Sequence, residues 1–257
     1  MMAVTPALAT GAGPTLVGVG MGPGDPELIT LKAIRTLAAA DAILVPATES
    51  SADEAGRAER LVLATCPEIA ARIRRVPFSM AQRRGVGTKR RESWEAAAQS
   101  AQAEFEAGAT TVAFATVGDP SVYSTFSYLA AHVQAVVPGL AVSVVPGITA
   151  MQALAAASLT PLVEGQESLA LVPVTAGLDA FAAALDTLDT VVAYKGGRHL
   201  AALLELVTAR GRDGVLGENI GLPTQRLTPL SQVDADAAPY FSTVLVAPRR
   251  TTPGGRL

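Results

Sequence analysis

Residues 15–25 read Thr15-Leu16-Val17-Gly18-Val19-Gly20-Met21-Gly22-Pro23-Gly24-Asp25. The apolar run predicts a buried strand over Thr15–Gly20, and the glycines, Pro23 and Asp25 predict a sharp turn feeding a helix over 28–39. Such a unit opens an α/β fold. Glycine stands where a backbone takes positive φ or approaches another group closely. A dinucleotide fingerprint would need a third glycine at position 23, which is Pro23. It would also need an acid about 20 residues on, at the end of the second strand, and that strand ends Val45-Pro46. A nicotinamide-dependent oxidoreductase therefore fits poorly. For the turn itself, ligand contact and plain strand–helix packing both stay open.

Outward from this unit, short apolar runs alternate with helix-period segments. Further strands are predicted over 42–46, 110–115, 142–145, 168–174, 190–194, 215–219 and 243–247, and helices over 52–64, 89–106, 123–136, 149–157, 178–187 and 200–210. The strands are rich in Val and Leu with little alternation, as in parallel strands covered on both faces. Pro138-Gly139 marks a domain crossing. The expected organisation is a disordered N-terminus (1–14), an N-terminal α/β domain (15–138), a C-terminal α/β domain (139–248) and a flexible tail (249–257).

Composition narrows the function. With 257 residues, 49% hydrophobic and 17% charged, the chain can bury a full core. A net charge of −3 gives no global attraction to nucleic acid or an anionic membrane, so neither is an expected partner. Cys66 is the single cysteine and His132 and His199 the only histidines, which excludes a disulfide and argues against a metal site. Neither a signal sequence nor a membrane span is expected, and a cytoplasmic setting fits.

Two more turns follow predicted parallel strands, where open α/β sheets bind ligands. One reads Thr116-Val117-Gly118-Asp119-Pro120-Ser121-Val122-Tyr123-Ser124, the other Pro146-Gly147-Ile148-Thr149-Ala150-Met151. Taken singly, Asp119 and Thr149 read as helix N-caps. Taken with the first turn, the series Gly-x-Gly-x-Gly-Pro-Gly-Asp, Gly-Asp-Pro-x-x-Tyr-Ser and Val-Pro-Gly-Ile-Thr-Ala resembles the tetrapyrrole (corrin/porphyrin) methylase family over 16–246. Residues 77–80 (Pro-Phe-Ser-Met), 123–129 (Tyr-Ser-Thr-Phe-Ser-Tyr-Leu) and 238–242 (Ala-Pro-Tyr-Phe-Ser) are similar to its precorrin-2 C-20 methyltransferase branch.

The resemblance implies two α/β domains with an S-adenosylmethionine cleft between them, the class III methyltransferase fold, usually as a homodimer. It implies that Pro23 lines the cleft and that Val117, Gly118 and Asp119 hold the methionine and ribose, with Val122 nearby. Thr149 and Ala150 would lie next to the sulfonium, and Lys195, Glu218, Asn219 and Ile220 around the adenine. It further implies methylation of precorrin-2, or cobalt-precorrin-2, at C-20 in cobalamin biosynthesis. Tyr123 and Ser124 are candidate substrate contacts, and Tyr123 and Glu218 are candidates for an optional base. Uroporphyrinogen methylases of this family carry an aspartate where Pro46 stands, so that acid–base role does not transfer. Lys195 stands where a methionine is frequent.

Methyl transfer from a sulfonium needs alignment and a dry site rather than a metal or a protein nucleophile. The tetrapyrrole is polyanionic, and residues 69–91 hold Arg72, Arg74, Arg75, Arg83, Arg84, Lys89, Arg90 and Arg91 with no acidic residue. These are eight of the chain's 20 basic residues, and guanidinium forks suit carboxylates. Arg83 and Arg84, in an expected loop, are the candidate substrate contacts; the alternative is a solvated charge run. Other readings that stay open are a methylase of the same fold acting on another corrin precursor, RNA or protein, and a donor sensor without turnover.

Overall fold

The computed structural model describes residues 13–47, 54–77, 88–234 and 242–250. The chain divides into two compact units, Met1–Thr149 and Ala150–Leu257.

The first unit is a parallel sheet of β1 (Thr15–Gly20), β2 (Ala42–Ala47), β3 (Ile73–Pro77), β4 (Thr111–Thr116) and β5 (Ala141–Val145), in the order β3-β2-β4-β1-β5. Alternation along each strand feeds two cores. Val17, Val19, Ile43, Val45, Ala113 and Ala115 pack beneath α1 (Leu31–Ala39) and α2 (Arg57–Thr65). Leu16, Leu44, Val112 and Phe114 face α3 (Thr88–Glu106) and α4 (Phe126–Val136). Trp94 of α3 stacks on Tyr128 of α4 with ring centroids 4.2 Å apart. The expected boundary near 138 moves to 149/150, because β5 pairs with β1 and so belongs to the first sheet.

Side-chain caps mark two of the helix starts. The helix expected over 28–39 splits into a 3-10 turn at Pro26–Leu28, capped by Asp25, and α1, whose N-cap Thr30 accepts the Ala33 N–H at 3.1 Å. The helix expected from 123 begins at Phe126, and the one expected from 52 begins at Arg57 after Gly56. Two strands escaped prediction, β3 and β9 (Arg226–Pro229). Both lie at sheet edges and carry charge or proline, which edge strands tolerate.

The second unit holds α5 (Ala150–Ala157), β6 (Leu169–Pro173), α6 (Asp179–Thr187), β7 (Thr190–Tyr194), α7 (Leu200–Ala209), β8 (Asp213–Glu218), β9 and β10 (Ser242–Ala247). Its sheet runs β6-β7-β10-β8-β9 and is mixed rather than parallel, since β10 is antiparallel to both β7 and β8. Phe181, Leu185, Leu203 and Val207 of α6 and α7 cover one face. Leu154 of α5 reaches Gly217 on the other.

Candidate functional site

The turns after β4, β1 and β5 leave neighbouring strands at the carboxyl edge of the first sheet, the usual ligand edge of such sheets. They are bonded to one another. The Gly118 N–H donates to the Gly22 carbonyl at 2.7 Å, and the Met21 N–H donates to the Thr116 carbonyl at 2.9 Å. A Cβ on Gly147 would stand 2.2 Å from the Gly118 oxygen.

Packing therefore accounts for two glycines of the first turn. Gly18 abuts the Phe126 ring, where a Cβ would come within 2.6 Å, and Gly20 abuts the Gly147 backbone. Gly118 differs: its φ is +74°, and a Cβ there would meet nothing within 4 Å. This is the position where a missing side chain leaves room. Pro23, next to Gly22, is buried, and Val117 and Val122 are half-buried.

Asp119 holds the middle of the assembly. Its Oδ1 accepts the Ser121 N–H at 2.7 Å and its Oδ2 accepts the Gly147 N–H at 2.9 Å. Ser124 Oγ donates to Thr116 Oγ1 at 3.2 Å and accepts the Phe126 N–H at 3.2 Å, so it helps start α4. Tyr123 is 41% exposed, while Thr149 is buried.

In the second unit, Thr243 faces Tyr194 and Ser242 faces Glu218. The turns carrying Lys195 and Asn219 thus leave one sheet edge on either side of the start of β10. Glu218 is buried and accepts from Arg226 Nε at 2.9 Å, and Ile220 is buried next to it. The Tyr194 hydroxyl accepts the Met151 N–H at 2.9 Å and thereby caps α5, which begins at Ala150. No local pattern marks this bond between residues 43 apart.

Four non-glycine residues among those described have positive φ: Tyr123 (50°), Leu159 (51°), Lys195 (60°) and Asn219 (50°). A left-handed L-residue costs about 1–2 kcal/mol, and such strain gathers at functional sites. Three of the four stand at positions expected in the site. Leu159 is the exception, a turn after α5 where Thr160 N–H donates to the Ala155 carbonyl at 2.9 Å.

The basic segment is corrected in part. Arg72 donates to the carbonyls of Ala38 and Ala40 at 3.0 and 2.6 Å. Arg74 pairs with Glu104 at 2.6 Å, and Arg75 grips both oxygens of Glu59 at 2.8 and 3.0 Å. Those cations are spent on partners far off in sequence, which a window without acids conceals. Arg83 and Arg84 lie outside the described residues, as do 78–80 and 238–241. No three His, Cys, Asp or Glu side chains gather as a metal group among the described residues, and no described helix is long and apolar enough to cross a membrane. Three carboxyls are held below their usual range, Asp41 by backbone N–H groups, Glu167 by Arg250 and Asp186 by Arg210, and none belongs to the strand-end turns.

The family model for Tetrapyrrole (Corrin/Porphyrin) Methylases matches residues 15–234. A precorrin-2 C(20)-methyltransferase of Sinorhizobium sp is 32% identical over 237 residues, 90% of this chain and 94% of that protein. A cobalt-precorrin-2 C(20)-methyltransferase of Salmonella typhimurium is 31% identical over 236 residues, 90% of this chain and 95% of that one. A solved uroporphyrin-III C-methyl transferase of Thermus thermophilus, complexed with S-adenyl homocysteine, has the same fold, with a TM-score of 0.64 at 23% identity over 91% of this chain and 92% of that chain.

Proposed function

The chain belongs to the tetrapyrrole (corrin/porphyrin) methylase family, and from that premise we propose that it transfers a methyl group from S-adenosylmethionine to C-20 of precorrin-2 or cobalt-precorrin-2 in cobalamin biosynthesis. The observation that carries the reading is the bonded group of strand-end turns around Gly118. These turns are built of small residues, and the space above Gly118 is open. That suits a donor recognised largely by backbone.

In the first unit the candidate donor-site residues of this reading are Pro23, Val117, Gly118, Asp119, Val122 and Thr149; in the second they are Ala150, Lys195, Glu218, Asn219 and Ile220. The donor supplies an already activated methyl group. The chain's part is to orient it and to keep water out, which can account for most of the acceleration. Of the two base candidates, Glu218 is buried and paired with Arg226, while Tyr123 is exposed on its turn. Tyr123 and Ser124 are the substrate contacts of this reading, with Arg83 and Arg84 meeting substrate carboxylates.

The test is incubation with S-adenosylmethionine and either metal-free or cobalt-loaded precorrin-2, followed by mass spectrometry. One added methyl on one of the two is expected and identifies the route. If neither gains a methyl while calorimetry still detects donor binding, the acceptor assignment is wrong.

A further inference from the structure

We propose that Asp119 is a positioning residue, whose carboxylate clamps the turn after β4 to the turn after β5 and makes no bond to the donor; the proposal rests on the donor reading above. The two bonds differ in kind. The Ser121 N–H bond to Oδ1, at 2.7 Å, is local and shapes the Gly-Asp-Pro turn. The Gly147 N–H bond to Oδ2, at 2.9 Å, spans 28 residues and reaches the turn of another strand. Bonds from N–H groups to a carboxylate are stronger than neutral ones, and two of them fix the plane of the group.

The clamp also explains the crowding around it. With the Gly147 amide drawn to Asp119, the Gly147 Cα lies so near the Gly118 carbonyl that no side chain fits between them. Gly118, the residue with open space above it, directly precedes Asp119, so the carboxylate sets where that open face points. Thr149, two residues beyond Gly147, is placed by the same bond.

An Asp119→Asn variant keeps the size but turns an NH2 group toward one of the two backbone N–H donors. S-adenosylhomocysteine binding, measured by calorimetry, should weaken roughly tenfold, the effect of losing one charge-assisted bond. The loss should be equal for its 2′-deoxy, 3′-deoxy and deaminated analogues, because a clamp does not sense which ligand group is missing. A loss that vanishes for one truncated analogue would reveal a direct bond and overturn the proposal.

Amide hydrogen exchange on the donor-free wild-type protein is the second readout, and it needs no variant to fold. The Gly147 N–H should be protected, and it should exchange faster in the variant where that folds. An unprotected Gly147 N–H in the wild type would overturn the clamp. Should S-adenosylhomocysteine bind neither protein, the donor reading fails, and exchange at Gly147 still decides the clamp.

Discussion

Gly20 and Gly147 meet backbone to backbone: a Cβ on Gly20 would stand 2.5 Å from the Gly147 nitrogen and 2.7 Å from the Gly118 oxygen. The atoms in the way are backbone and cannot swing aside. Gly20→Ala should therefore force the first and third turns apart and cost about 2–3 kcal/mol of stability. Gly139→Ala is the control, since it has φ of +72° but nothing within 4 Å, and should cost about 1 kcal/mol. Urea denaturation measures both. Equal losses would mean that the turns are not held in contact.

Tyr194→Phe removes the acceptor of the Met151 N–H and leaves the first turn of α5 without that cap. A stability loss of about 1 kcal/mol is expected. Because Ala150 and Lys195 flank the two ends of this bond, donor affinity should fall with it. Thermal unfolding and calorimetry check the two effects. Unchanged donor affinity would remove both residues from the site.

Arg250 closes the end of β10 onto the 158–168 loop, bonding to the Pro161 carbonyl and pairing with Glu164 and Glu167. The bond from Arg250 holds the Glu167 carboxyl below its ordinary value. A carboxyl with a depressed folded pKa adds stability at pH above its unfolded value and loses it as pH falls through the folded one. Stability should therefore drop on acidification below the ordinary glutamate range, and Glu167→Gln should flatten that part of the profile. Arg250 is raised and stays charged throughout, so it contributes no slope there. Urea midpoints against pH test this, and a parallel profile for the variant contradicts it.

Replacing Arg83 and Arg84 together by alanine should raise the Michaelis constant for the tetrapyrrole and leave S-adenosylmethionine affinity nearly unchanged. Arg75→Ala should behave in the opposite way. It strands the buried Glu59 carboxylate and should cost about 1–2 kcal/mol of stability with little effect on tetrapyrrole binding. Steady-state kinetics on both variants separates substrate-facing cations from structural ones.

Strands β1 and β7 stand where their apolar runs predict them, and every other predicted strand is found within two residues at either end. The three strand-end turns were legible because each concentrates Gly, Pro and hydroxyl residues within a few positions. The edge strands were not legible. In β3 the exposed Arg74 and Arg75 break the apolar run, and only Val76 is buried. The direction of β10 was equally hidden, since a strand covered on both faces looks the same in either orientation.

What the sequence by itself determined is what neighbouring residues decide: apolar periodicity, glycine turns, the Asp25 and Thr30 caps, and the motifs that carry the family resemblance. Tertiary structure alone decided the partners: Asp119 with Gly147, Tyr194 with Met151, Arg75 with Glu59. Those pairs lie 28, 43 and 16 residues apart. Local propensity cannot choose among distant donors and acceptors. Strand order and register choose them, when buried apolar faces lock the sheet and bring a particular amide and carboxylate within bonding reach.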